Sequence, residues 1–220
     1  MTLLSSLADP EVWERFYKYK ADLSCHKTFL KTLRSFIDRR GFIDVCEKIG
    51  AGVPFPLPEK SVVSKLSTGK KRVVYTYPDD ENTVLKLLTW LLTRKYDAVF
   101  SKGLYSFRPG RTAKDAFRSL SLSPGIGEKY AYKADVGDYF NSVPVERFLP
   151  VLEDTLSDDP ETFRFLRRLL EEPEVLDKGK RVREQKGIMA GTPLSAFYAN
   201  LYLADLDRTF AGQDVPYARY

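Results

Sequence analysis

The chain has 220 residues, 43% of them hydrophobic and 30% charged, with 35 Lys and Arg against 30 Asp and Glu for a net charge of +5. This is the composition of a soluble globular protein with one large domain or two small ones, and with no repeat or low-complexity tract it excludes a solenoid. No apolar run is long enough to span a bilayer, and Cys25 and Cys46 are too few for a disulfide framework and lack zinc-site company.

The first seven residues form a short apolar patch with no basic flank, unlike a secretory leader. Sparse cysteine fits a reducing compartment, so a cytoplasmic location without membrane contact is the expectation. Basic residues crowd 27–40, 60–72, 108–118 and 178–186, and acidic ones crowd 153–161 and 171–177. Basic stripes of this kind suit a phosphate backbone.

In chain order, 12–20 reads as a short helix. A better one covers 24–39, with Ser24 as its cap, Phe29, Leu30, Leu33, Phe36 and Ile37 at helical spacing, and Gly41 as its stop. A further short helix covers 43–49. Pro54, Pro56 and Pro58 make 50–58 irregular. Two strands are predicted over 61–66 and 72–77, joined by a turn at Ser67-Thr68-Gly69-Lys70. A strong helix follows over 81–96, with Leu85, Leu88, Leu91 and Leu92 inward. Residues 106–111 form a loop around Pro109-Gly110, and Thr112 starts the next helix.

Residues 129–135 read as a buried strand. Helices are predicted over 143–156 and 160–171, and a hairpin over 175–182 around Asp177-Lys178-Gly179-Lys180. One long apolar helix spans 193–210 with Pro193 in its first turn, and 215–220 reads as the first half of a strand. Strands and helices mix without a βαβ rhythm, which makes the fold class α+β.

Four constellations carry chemistry. The first is Asp135-Val136-Gly137-Asp138-Tyr139-Phe140-Asn141, a carboxylate at a predicted strand end with a second three residues on. Oxygen ligands of this kind suit Mg²⁺. Taken alone, Asp135 fits an ordinary Asx turn better, and Asp138 either holds the turn or pairs with a nearby base. The second is Lys65 with the basic hairpin that leads to Arg72, where clustered cations can clamp a triphosphate; a solvated basic turn is the commoner fate of such hairpins. The third is Tyr105-Ser106-Phe107-Arg108-Pro109-Gly110-Arg111, in which two arginines bracket a tight loop before a helix start, an arrangement that favours phosphate. The fourth is Gly187-Ile188-Met189-Ala190-Gly191 followed by Ser195 and Ala199-Asn200-Leu201-Tyr202-Leu203. Glycine at 191 permits a close approach of backbone to a base pair or sugar, and Asn200 also fits a satisfied interior amide.

Together, in this order and over roughly residues 53–220, the four motifs resemble those of reverse transcriptases of the group II intron-like, bacterial kind. The third resembles Y-G-F-R-P-G-R-S with Ser106 in place of Gly. The fourth resembles G-x-P-Q-G-x-x-x-S-P and A-N-x-Y-L, departing at Met189-Ala190 and at Ala196. The resemblance implies fingers and a partial palm of a right-hand polymerase. Residues 1–50 would be a helical extension of the fingers, 51–127 the fingers with the hairpin 61–77, and 128–220 part of the palm, with 157–186 a candidate addition to the fingers.

The resemblance also implies roles. Asp135 and the carbonyl of Val136 would bind metal, two Mg²⁺ in the complete enzyme. Phe140 would be the sugar gate, Lys65, Arg72 and Gly191 would lie at the nucleotide, and Arg108 and Arg111 at template phosphate. RNA template, DNA or RNA primer and dNTP would be the partners, with a dimer through the fingers or an exposed palm edge left open. The run 215–220 resembles the lead-in to the family's Y-x-D-D strand, so these residues by themselves are expected to be inactive. A non-catalytic RNA-binding module of polymerase-like shape, and a purely structural interaction domain, are the competing readings.

Overall fold

The computed structural model describes residues 2–23, 25–64, 71–213 and 215–220. The N-terminal helices α1 (Leu3–Ser6), α2 (Pro10–Asp22), α3 (Lys27–Asp38) and α4 (Phe42–Gly50) pack together. Trp13 stacks on Phe42 with ring centroids 5.1 Å apart and donates its indole N–H to the Leu7 carbonyl at 2.8 Å. These helices belong to the main core. Asp159, buried at the start of a later helix, accepts from the Leu3 amide at 2.8 Å.

A four-stranded sheet in the order β2-β1-β3-β4 forms the other layer. Strands β1 (Glu59–Ser64) and β2 (Lys71–Thr76) are antiparallel, with Glu59 opposite Thr76. The expected hairpin β3 (Glu174–Asp177) and β4 (Lys180–Arg183) forms, with positive φ at both Lys178 and Gly179 as a two-residue turn requires. Its β3 runs parallel to β1, Glu59 opposite Leu176. Pairing between strands so far apart in sequence was not legible from either run alone.

Helix α5 (Asp79–Lys95) is the spine. Val84, Leu85, Leu87, Leu88 and Leu92 are all buried, a wider stripe than the leucines alone predict, because helices cover it on more than one side. Thr112 and Asp115 cap α6 (Ala113–Ser121) reciprocally, Thr112 accepting from the Asp115 amide and Asp115 from the Thr112 amide. Then follow α7 (Tyr139–Ser142), α8 (Val145–Thr155), α9 (Pro160–Glu171), α10 (Ser195–Tyr202) and α11 (Ala204–Ala211). Among the described residues, no helix is long and apolar enough to cross a membrane, and Cys25 and Cys46 are free thiols.

The mixed α+β class stands, and several local expectations change. The expected cap Ser24 lies outside the described residues; α3 is capped by His26, whose Nδ1 accepts from the Thr28 amide at 3.3 Å. The left-handed residue that ends α3 is Arg40, not Gly41. Residues 129–135 are not a strand but an exposed irregular run, with Tyr130 104% and Tyr132 94% accessible. Its alternating apolar residues suit a sheet face, but a strand exists only as part of a ladder, and among the described residues nothing pairs with it. The long helix over 193–210 is broken at Leu203, which has φ −103 and ψ 14.

The expected strand at 215–220 is reduced to one parallel bridge between Leu104 and Arg219. The Arg219 amide donates to Gly103 at 2.9 Å and the Tyr105 amide to Arg219 at 2.8 Å. The side chain of Arg219 is what anchors this segment: it donates to both carboxylate oxygens of the fully buried Asp207, at 2.8 and 2.6 Å, and Tyr217 donates to the same carboxylate at 2.7 Å. Burial works against the charge on Arg219, yet the Asp207 carboxylate outweighs it and the pKa is raised. Breaking a buried pair strands its partner charge, so Asp207→Ala should cost about 3–5 kcal/mol. Urea unfolding checks this, with a lower midpoint at unchanged slope as the expected result.

Candidate functional site

Segments far apart in sequence meet around Phe140. Asp138 opens the approach with φ 45 and accepts from the Asn141 side-chain amide at 3.2 Å, so it holds the turn. Tyr139 then donates its hydroxyl to the Ala199 carbonyl at 2.7 Å, tying α7 to α10, and burial raises its pKa. Phe140, half-buried on the first turn of α7, receives three neighbours. The Arg72 guanidinium from β2 lies 5.3 Å from its ring centroid, a cation–π contact. Phe107 meets it edge-on, with centroids 6.3 Å apart and planes at 80°. Its carbonyl accepts from the Ile188 amide at 2.8 Å.

The loop 187–191 is thus clamped between α7 and β2. A Cβ on Gly187, which has φ +51, would lie 2.5 Å from the Phe140 carbonyl oxygen, so only glycine fits. On the other side, the Tyr75 amide donates to Ala190 at 2.8 Å, which satisfies the outer edge of β2. Gly191, at φ +96, is pressed on the same strand: its Cβ would meet the Tyr75 carbonyl and Val74 at 3.0 Å. The close approach expected of Gly191 is therefore to a protein strand. Asn141, which sequence reasoning did not single out, joins all three parts. Its Nδ2 donates to Val73 at 3.3 Å, and its Oδ1 accepts from the Ala190 amide at 3.2 Å. An amide beside an aromatic on a short helix was the only available signal.

The departure at Met189 has a backbone basis. Met189 has φ 57, which proline cannot adopt, and its sulfur accepts from the Tyr77 hydroxyl at 3.6 Å in the core. Next to the loop, Lys186 is buried and donates to the Glu172 carbonyl. Burial pushes its pKa down to about 8, against the pull of Glu172. It borders a cleft of about 280 Å³ lined also by Val143, Leu149, Leu170 and Glu184.

The two arginines of the third motif, expected at template phosphate, both donate within the fold. Arg108, its side chain 6% exposed, donates Nε and Nη2 to Asp97 at 2.8–3.1 Å and Nη1 to the Ser101 carbonyl at 2.9 Å. Its guanidinium is committed inside the fold, and a phosphate would have to displace Asp97. Arg111 donates to the Lys102 carbonyl at 2.6 Å and covers the Tyr105 ring. Asn200 is a satisfied interior amide, donating to the Ser106 carbonyl at 2.9 Å.

Of the expected site residues, then, Arg72 and Phe140 come together, Gly191 lies against Val74 and Tyr75 of the same strand as Arg72, and Lys65 lies outside the described residues. Asp135 and Val136 sit just before this cluster on the exposed run, not at a strand end. The oxygen donors there are of the type Mg²⁺ takes. Their number is short, since among the described residues no group of three or more His, Cys, Asp or Glu is placed to hold a metal ion.

No protein-family model matches the chain. It is 26% identical over 170 residues, 75% of its length, to the uncharacterised 91 kDa protein in the cob intron of Schizosaccharomyces pombe, of which it spans 21%. It superposes with TM-score 0.55 and 19% identity over 96% of its length on chains of a partial Cas6-RT-Cas1–Cas2 complex and of the Cas6-RT-Cas1–Cas2 complex, spanning 35% and 22% of those chains. At that identity the likeness is one of fold, and it agrees with the resemblance to reverse transcriptases carried by the four motifs.

Two outcomes are expected. Gly187→Ala should destabilise by roughly 1–3 kcal/mol through overpacking against the Phe140 carbonyl, read by thermal or urea unfolding. For Lys186, the folded group loses its proton near 8 and the unfolded one near about 10.4. Between those values the unfolded chain binds more protons, so stability rises with pH there, and below them the buried charge costs most. In Lys186→Met this rise should vanish, and the difference between the two stability–pH profiles isolates it.

Proposed function

We propose that the chain is the nucleotide-gripping front part of a reverse transcriptase of group II intron-like type, working within a longer polypeptide. The observation that carries this is the convergence on Phe140 of Arg72, the 187–191 loop and the Phe107 loop. Three of the motifs that carry the resemblance meet at the fourth, although none is adjacent to another in sequence. The intron-borne relative and the RT-bearing structures support the same reading.

In this proposal 51–127 are fingers, 128–220 part of the palm, and 1–50 an extension packed into the same core. The pairing of β3 with β1 supports a contribution of 157–186 to the fingers. Phe140 meets the sugar and excludes the 2′-hydroxyl. Arg72 leaves the Phe140 ring to take the triphosphate, joined by Lys65, and Gly191 seats the loop beside them. Asp135 and the Val136 carbonyl would hold Mg²⁺, which neutralises phosphoryl charge when bound. Arg111 has donors left for template phosphate, whereas Arg108 holds the loop. The partners would be an RNA template, a primer and dNTP, and the reaction primer extension through attack of the 3′-oxygen on the α-phosphorus.

The exposed, irregular run 129–138 favours one competitor, a module that binds RNA without catalysis. Single-turnover extension of an RNA-templated primer separates the two. The full-length polypeptide should extend, Asp135→Asn should lower the rate by at least about 10²–10³-fold, and Phe140→Val should admit ribonucleotides. The 220 residues by themselves should bind an RNA–DNA hybrid with a steep salt dependence and incorporate nothing. Extension unaffected by Asp135→Asn would remove the assignment.

A further inference from the structure

Phe107 is the least explained residue near the site. It is 61% exposed, and it holds φ 52, a left-handed conformation that costs a phenylalanine both sterically and through apolar surface left in water. The loop is prevented from relaxing on either side. The Ser106 carbonyl is held by Asn200 from α10. Arg108 is locked to Asp97 and Ser101 in the fold. An interior amide and a buried guanidinium paired with the more exposed Asp97 thus present one bulky aromatic to solvent. Its ring stands edge-on to Phe140, so the two make an open aromatic corner, with the Arg72 guanidinium 5.3 Å from the Phe140 centroid. Strain that the surroundings enforce, at a place where it adds nothing to the core, points to a ligand contact.

We propose that Phe107 is a base-stacking, specificity-determining residue: a nucleobase lies against the corner it forms with Phe140. Exposed aromatics beside basic groups bind bases through their π-faces, largely regardless of sequence. The inference deepens the reverse-transcriptase reading and rests on it for the identity of the ligand. The base belongs either to the incoming nucleotide or to the strand being copied, and the two sources give different readouts.

The test uses the full-length polypeptide with Phe107→Gly and Phe107→Trp, measuring melting temperature, Kd for an RNA–DNA hybrid, and KM and kcat for dNTP. Phe107→Gly relieves the backbone, so its melting temperature should hold or rise. One binding constant should weaken roughly tenfold or more: KM if the base is the incoming nucleotide's, Kd if it is the template's. Phe107→Trp should keep wild-type constants, with tryptophan fluorescence quenched by the ligand concerned. A lowered melting temperature for Phe107→Gly with both constants unchanged would make the residue structural and overturn the proposal, as would three unchanged values. Wild-type protein that binds hybrid but never extends it would sink the polymerase reading alone, with Kd and quenching still deciding Phe107. Wild-type protein that binds neither ligand would remove both.

Discussion

The clamp of the 187–191 loop between the Phe140 carbonyl and β2 is the constraint on which the candidate site depends. The Phe140 carbonyl has no donor within α7, which ends at Ser142, and Pro144 four residues on carries no N–H, so the Ile188 amide supplies the partner. Bringing that amide close requires a residue without Cβ at 187, and satisfying the outer edge of β2 requires the Ala190 carbonyl one turn later. Buried or half-buried backbone groups are costly when unpaired, so each bond in this chain obliges the next. Asn141 closes the circuit with one side chain that reaches both the strand and the loop.

A second network holds the other wall. Asp207 binds Arg219 and Tyr217; Arg219 donates to the Asn200 carbonyl at 3.1 Å; and Asn200 donates to Ser106. The loop that displays Phe107 is therefore continuous, through hydrogen bonds, with the C-terminal segment and α11. This gives a use to the break at Leu203, which turns α11 so that Asp207 faces Arg219. The likeness to chains of the Cas6-RT-Cas1–Cas2 complexes is one of overall fold, since only 19% of residues are identical. The departures are local and have physical companions, as at Met189, where the positive φ and the departure from proline go together.

Much of this was legible in the amino acids. Local rules depend on neighbours in the chain, so the helices predicted over 81–96 and 160–171, the helix start at Thr112 and the Lys178-Gly179 turn follow from spacing and turn chemistry. The motif order pointed to Arg72 and Phe140 before any contact was known. The roles of Arg108 and Asn200 were less legible, because whether a guanidinium faces phosphate or a carboxylate of the same chain depends on Asp97, and nothing in the spacing names it as partner.

What the sequence by itself determined is most of the helices, the two hairpins and the chemistry each motif carries. The tertiary structure alone decided which of those elements meet. It placed β3 beside β1, stood Phe107 against Phe140, and left 129–135, which reads as a buried strand, outside any ladder among the described residues. The physical reason is common to all three. Helical periodicity and turns are satisfied within a few residues, whereas strand pairing, ring contacts and buried ion pairs need a partner from elsewhere in the chain, and a residue's identity does not say which partner arrives.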